Sequence, residues 1–209
     1  MSSIKLPHSS GNSMSIAAPA TNPASDLELK LPATVGTAGQ VLKNSSTAGT
    51  LEFGSGGIIV QIVNAVYSGS SSFTTSGSTF QDTGLSASIT PSSSSNKILV
   101  TYQLECAAET SYRHACRLVR GSTDILLANS AGDRIRATNN NGNPPNNVRM
   151  SSFSQTYLDS PSTTSSTTYK LVGWAESSGL FFTNRSESNS DSASHARGVS
   201  TITLMEVAA

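Results

Sequence analysis

From residue 58 to the end of the chain, apolar side chains recur at every second position. No stretch shows convincing three-four spacing; residues 104–112 come nearest, and that stretch is short. Period two is the mark of a half-buried strand, because successive side chains of an extended backbone point to opposite faces. Ile58, Val60, Ile62 and Val66 share a face of 58–67. Leu85, Ala87 and Ile89 share one in 84–90, and Ile98, Val100, Tyr102, Leu104 and Cys106 share one in 97–106. The same rule groups His114, Cys116 and Leu118, then Phe153, Gln155 and Tyr157, then Tyr169, Leu171, Gly173 and Ala175. Residues 124–130 read as a further strand. In 199–207, Val199, Thr201, Thr203, Met205 and Val207 oppose Ile202 and Leu204. Turn formers separate the runs: a Ser/Gly tract at 68–78, 91–96, 120–124, an Asn- and Pro-rich loop at 138–147, and 159–165. About eight strands with such connections predict an all-β fold, an antiparallel β-sandwich with the jelly roll as its expected arrangement.

Several of these strands are apolar on both faces: Ile58-Ile59, Ile98-Leu99, Leu118-Val119, Ile125-Leu126-Leu127, and Trp174 beside Leu171-Val172. A lone antiparallel sandwich should turn polar residues outward. With no helices to cover an outer face, a second copy of the chain is the expected cover. A three-fold ring closed by heterologous contacts, a homotrimer, is the arrangement expected.

Residues 1–57 differ from 58–209. Pro7, Pro19, Pro23 and Pro32 interrupt the segment, and 26–31 reads as one strand of six. Residues 39–54 read as a hairpin, with Val41 and Leu42 before the turn and Leu51 and Phe53 after it. A two-stranded hairpin is at best marginal alone. Its few apolar residues suit a segment that other chains complete.

Charged residues are only 12% of the 209, with 13 basic and 13 acidic. Roughly three residues in ten are Ser or Thr, so hydroxyls rather than charges keep the surface soluble. Without clustered Lys and Arg, neither nucleic acid nor an anionic membrane is an expected partner. No apolar run is long enough for a membrane-spanning helix, and the N-terminus lacks the apolar region of a secretory signal. Synthesis and assembly in a cytosol are expected. There Cys106 and Cys116, on what read as neighbouring strands, would be reduced and buried; a disulfide formed later is the alternative.

No nucleophile elbow, zinc-protease motif or phosphate-binding loop is present, so no catalytic residue and no cofactor are expected. Three histidines occur, His8, His114 and His195. His114 shares a face with Cys116 and reads as a packed residue. His195 lies near Glu187 and Asp191, but their spacing selects no metal geometry, and Cys106, His114 and Cys116 lack a clean fourth ligand for zinc. The Asn184-Arg185-Ser186 triplet matches a glycosylation acceptor without a secretory route to use it. Arg113, Arg117 and Arg120, with Asp124, Asp133, Arg134 and Arg136, form the densest charged region. They suit salt bridges within a sheet, bidentate pairing between subunits near a trimer axis, or ligand capture, and Arg113, Arg117, Arg120 and Trp174 are the candidate trimer-interface residues. Asn139, Asn140, Asn141, Asn143, Asn146 and Asn147 carry amides that both donate and accept. Beside an aromatic, such amides suit a glycan on a host surface, so these six are the candidate receptor contacts, with 186–195 as a second loop. The bland alternative is an ordinary turn.

One longer stretch resembles a known class. In residues 4–54 an apolar strand ending in Leu-Pro is followed by a Gly-rich turn, then Gly-Gln-Val-Leu-Lys, a second turn and Leu-Glu-Phe-Gly. This is similar to segments of fibre and other appendage proteins of tailed bacteriophages, marine cyanophages especially. The runs 183–192 and 196–207 resemble the ends of the globular domains that follow such segments. The resemblance implies a homotrimeric virion protein, assembled in the host cytoplasm. Its N-terminal stalk (1–57) would attach to tail or capsid proteins, and its jelly-roll knob (58–209) would resemble tumour-necrosis-factor-like and C1q-like trimers. Ile4, Leu6, Leu27, Leu29, Leu31, Val41, Leu42, Leu51 and Phe53 are then the candidate anchoring residues. The expected role is host-surface contact. The alternative is a capsid-decorating protein, favoured by an anchoring segment shorter than tail fibres usually carry. A polysaccharide-degrading spike would need paired carboxylates that no motif supplies.

Overall fold

The computed structural model describes residues 3–7, 13–17, 28–37, 40–55, 58–142 and 146–208. Among them the chain is all-β, with one 3-10 turn at Glu176–Ser178 and no α-helix. Backbone packing divides it into two units, Met1–Gly56 and Gly57–Ala209.

The first unit contains two hairpins. Strands β1 (Ser3–Pro7) and β2 (Ser13–Ala17) pair antiparallel, with Ile4 opposite Ile16 and Leu6 opposite Met14. Strands β3 (Gln40–Asn44) and β4 (Leu51–Ser55) form the hairpin expected at 39–54, with Leu42 opposite Phe53. The strand expected at 26–31 is not formed over 28–31. There Lys30 alone makes a parallel bridge to Thr50, and the prolines on either side supply no amide donor to extend a ladder. Leu27 lies outside the described residues.

The second unit is a sandwich of two antiparallel sheets. Its strands are β5 (Ile59–Tyr67), β6 (Ser71–Thr74), β7 (Gln81–Ile89), β8 (Lys97–Ala108), β9 (His114–Arg120), β10 (Thr123–Ile125), β11 (Asn139–Asn141), β12 (Ser151–Asp159), β13 (Thr167–Ala175), β14 (Leu180–Thr183) and β15 (Ser200–Val207). The larger sheet runs β5-β15-β8-β12, with β6-β14 continuing β5 and β15 along the far part of β8. The smaller runs β7-β13-β9, then β10 and β11 end to end on the free edge of β9. With the collinear pieces joined, the chain passes eight strand positions, ordered 1-8-3-6 in one sheet and 2-7-4-5 in the other. That order is a jelly roll.

Most of the sets aligned by period two fill the interior, but Ile58, Val60, Ile62 and Val66 face outward and leave the inner side of β5 to Val63, Ala65 and Tyr67. Leu85, Ile98, Val100, Leu104, Cys106, Cys116, Leu118, Tyr169, Leu171, Ile202 and Leu204 are all buried in one cluster. Each such large side chain contributes about 1.5–3 kcal/mol on burial. Two glycines permit close approach. Gly173 leaves room for the Phe181 ring, which would lie 2.8 Å from any added Cβ. Gly84, at φ +89°, sits in an irregularity of β7 opposite Leu171, and the Thr83 hydroxyl donates to Leu171 O at 2.8 Å in place of a ladder bond.

Polar residues close one end of the sandwich. Gln61, Glu206, Ile98 and Asp159 form one inward-facing cross-strand row. Glu206 has no exposed surface, yet accepts from Gln61 Nε2 at 2.5 Å, from Ser92 N and Oγ at 2.7 Å each, and from Asn96 Nδ2 at 2.6 Å. Asp159 accepts from Tyr169 Oη at 2.6 Å and from Arg120 Nη1 at 2.8 and 2.9 Å, which ties the two sheets together.

Some expectations are corrected. The 124–130 strand is only Thr123–Ile125, because Leu126 turns the backbone to φ +53°. Strand β6 lies in the Ser/Gly tract where a turn is expected, β11 lies in the Asn-rich loop, and β14 forms where the sequence pattern predicts no strand. Cys106 and Cys116 are free and buried, on strands of opposite sheets rather than on paired neighbours.

Candidate functional site

The two outer faces of the sandwich differ. On the smaller sheet, Ala115, Arg117 and Val119 of β9 and Val172 and Trp174 of β13 point away from the core, yet Ala115, Val119 and Val172 are buried. The connection between β6 and β7 accounts for part of this. Phe80 stacks on Trp174 at 6.3 Å between centroids and lies 3.9 Å from the Arg117 guanidinium, and Trp174 Nε1 donates to Gly77 O at 2.7 Å. Part of this second apolar face is thus covered by the chain's own loop.

The larger sheet has no such cover among the described residues. Ile62, Met205, Leu99 and Leu158 stand in one cross-strand row on its outer face, running from β5 to β12. Ile62 is 59% exposed and Leu158 45%. Ile58, Ile59, Val60 and Val66 of the β5 edge are exposed as well. The next row is Asn64, Thr203, Thr101 and Thr156, polar but uncharged, with Asn64 Nδ2 donating to Thr203 Oγ1 at 2.8 Å.

The arginine cluster is paired inside the chain. Arg113 donates to both oxygens of Glu176, at 3.0 and 2.6 Å. Arg117 donates to Asp124 at 2.8 Å and to Arg136 O, and Arg120 holds Asp159. All of these contacts lie within the one chain. Arg117, Arg120 and Trp174 lie on the smaller sheet and Arg113 directly before β9, while the uncovered apolar row lies on the larger.

A cavity of about 520 Å³ opens at the end of the smaller sheet, lined among others by Arg113, Asp133, Arg134, Asn140, Trp174 and Glu176. Strand β11 carries Asn140 and Asn141 there, while Asn139 turns inward. Asn139 Oδ1 accepts from Tyr102 Oη at 2.5 Å, inside the sandwich, and Asn141 Nδ2 donates to Ser151 Oγ at 2.6 Å. Asn146 caps a turn by accepting from Val148 N, and Asn147 O accepts from Ser188 N. Asn143 lies outside the described residues. Of the six candidate glycan contacts, Asn140 and Asn141 line the cavity. Asp133, Arg134 and Glu176 were not foreseen as its walls; Arg134 and Asp133 were visible only as part of a charge-dense stretch.

The 186–195 loop forms a smaller concavity of about 320 Å³. Glu187 is withdrawn from it, accepting from Thr110 N and Oγ1 at 2.7 and 2.6 Å, and His195 Nδ1 lies 3.4 Å from Ser190 Oγ. Among the described residues no group of three or more His, Cys, Asp or Glu side chains gathers as a metal site, and no helix is long and apolar enough to cross a membrane. Asn184 is buried and spends both amide protons on Tyr67 O and Gly69 O, so the glycosylation triplet offers no accessible nitrogen. His114 is buried against Phe153 and Phe181 with neither ring nitrogen hydrogen-bonded, and burial pulls its imidazole down to about 4. Burial likewise pushes the Cys106 thiol up and that of Cys116 up to about 12, which makes both poor nucleophiles.

Within the first unit, Leu29, Leu31, Val35, Val41 and Leu42 are exposed, while Leu51 and Phe53 are half-buried. Ile4 and Leu6 lie on β1. Comparison with protein families finds no matching family model, and comparison with curated proteins finds no match either.

Proposed function

We propose that the chain is a non-enzymatic structural protein of a tailed-bacteriophage virion. In this reading it is a homotrimer that displays the jelly roll as a knob for host-surface contact, with the N-terminal segment attached to other virion proteins. The observation that carries the association is the uncovered row Ile62–Met205–Leu99–Leu158. Isolated exposed apolar residues need no explanation, but a row spanning four strands beside an apolar edge marks an interaction surface. On one flank the row meets Asn64, Thr203, Thr101 and Thr156, polar but uncharged, and on the other exposed Lys97 stands opposite Val207. Three larger sheets facing one axis bring the Ile62 end of one copy to the Leu158 end of the next, a heterologous contact that closes. The exposed apolar residues of the first unit suit the same principle, with three strands of chain shielding what one cannot. Fixed three-fold display then turns weak knob contacts into avid ones.

Sedimentation or native mass measurement tests the association. The expected result is a particle of three times the 21.6 kDa chain mass. Ile62→Asp and Leu158→Asp, at side chains already partly solvated, should dissociate it to folded single chains with unchanged circular dichroism. A stable monomeric wild type overturns the reading. Copy number in the particle separates host contact, a few trimers at one vertex or tail, from capsid decoration, dozens over the shell.

A further inference from the structure

We propose that the cavity at the end of the smaller sheet binds a neutral saccharide unit, with Trp174 as its aromatic wall and Asp133, Arg134 and Asn140 as the partners of its hydroxyls. The volume of about 520 Å³ falls within the range of small-ligand sites. Three polar side chains of its lining, Asp133, Arg134 and Asn140, have no hydrogen-bond or ionic partner among the described residues. They offer a carboxylate acceptor, a guanidinium donor and an amide that does both. Adjacent hydroxyls of a sugar each donate and accept, so one pyranose can engage all three.

Charge narrows the class further. Arg113 and Arg134 stand against Glu176 and Asp133, so the lining sums to zero, which does not favour phosphate or a polyanion. A wholly apolar ligand would desolvate three polar groups without pairing them. The wall is held before any ligand arrives: Trp174 is fixed by its bond to Gly77 O and by the Phe80 ring, and Arg113 by its two bonds to Glu176. Such preorganisation reduces the ordering cost of binding. The inference deepens the host-contact reading and rests on it only for the biological source of the sugar. Association and sugar binding are measured separately, so either can fail alone.

Trp174 is the single tryptophan of the chain, and its emission therefore reports on this cavity. The full-length protein is titrated with methyl glycosides of glucose, galactose, mannose and N-acetylglucosamine, and with glucuronate, inorganic phosphate and a diglycine peptide. At least one neutral glycoside should give a saturable emission change in the millimolar range, as expected for a single-sugar contact. Asp133→Ala and Asn140→Ala, both at exposed positions, should each weaken it about tenfold, the loss of one such hydrogen bond. Asn189→Ala in the other loop should leave it unchanged. No response to any neutral glycoside, a response unaffected by the two cavity variants, or a response to glucuronate, phosphate or peptide alone each overturns the proposal.

Discussion

Replacing Glu206 by Gln should destabilise the knob strongly at neutral pH and hardly at all in acid. Burial alone would raise this carboxyl, since it disfavours the charged form. Hydrogen bonds from Gln61, Asn96 and Ser92 outweigh that cost and hold it at about 2. An unfolded Glu titrates near 4.3, so the folded state binds the proton less tightly than the unfolded one. Its contribution is therefore complete above the unfolded value and disappears as the pH falls toward 2. At 1.36 kcal/mol per pKa unit, the difference amounts to about 3 kcal/mol. The substituted side chain would keep the shape but point an amide NH₂ at the surrounding donors, and one of them must lose its acceptor. Guanidinium unfolding of both proteins at matched concentration, stepped from about pH 7 to about pH 2.5, should show a gap of about 3 kcal/mol that narrows only below about pH 4.5. A gap under about 0.5 kcal/mol at neutral pH, or one constant with pH, would refute the account of this carboxylate as a hydrogen-bonded pin.

His114 titrates in a different window. Its folded value of about 4 lies below that of a free imidazole, so stability present above about pH 6.5 should fall by up to about 3 kcal/mol toward pH 4, and His114→Leu should abolish that portion alone in the same unfolding series. Asp159→Ala should cost about 3–5 kcal/mol by stranding the Arg120 guanidinium and the Tyr169 hydroxyl, read as a lowered denaturation midpoint. Gly173→Ala should cost about 1–3 kcal/mol, since its methyl meets the Phe181 ring and the core has no slack to receive it. Neither Cys106 nor Cys116 should react with a thiol reagent until denaturant is added; rapid labelling of the native protein would contradict their placement in the interior.

The interior was legible because burial imposes period two on any strand with one dry face. That rule places Ile98 through Cys106 and Tyr169 through Ala175 correctly, alternate residue by alternate residue. It reads β5 less well. There the more apolar set, Ile58, Val60, Ile62 and Val66, faces outward, and the half-buried inward set is Gln61, Val63, Ala65 and Tyr67. Hydrophobicity alone does not say which face of a strand turns toward the core. Strands β6 and β11 carry too few apolar residues for periodicity to register, and β14 is only four residues long with its apolar residues consecutive; pairing with β14, β9 and β8 defines the three instead. The cavity was half legible. Asn140 and Trp174 announced themselves by type, but Asp133 and Arg134 reach it only through the irregular path between β10 and β11, which no local propensity encodes.

The way the two outer faces are finished bears on how the molecule would work. A loop of the same chain closes over the smaller sheet, and Phe80 there satisfies Trp174 and Arg117 without any partner. The larger sheet receives no equivalent loop among the described residues, and its apolar row stays open. In a sandwich the two outer faces look in opposite directions, so association through the larger sheet leaves the smaller sheet, and the cavity beside it, turned outward in every copy. The converse arrangement, with Arg113, Arg117 and Trp174 at the axis, would have to break the Arg113–Glu176 and Arg117–Asp124 pairs or bury them whole, and desolvating a charge pair often costs more than the pairing returns. The distinction is measurable. Arg117→Ala should loosen the Phe80 loop and lower stability while leaving the mass of the proposed trimer unchanged, whereas Ile62→Asp should do the reverse. If Arg117→Ala dissociates the assembly and Ile62→Asp does not, the axis lies on the smaller sheet, and the cavity is an interface rather than a binding site.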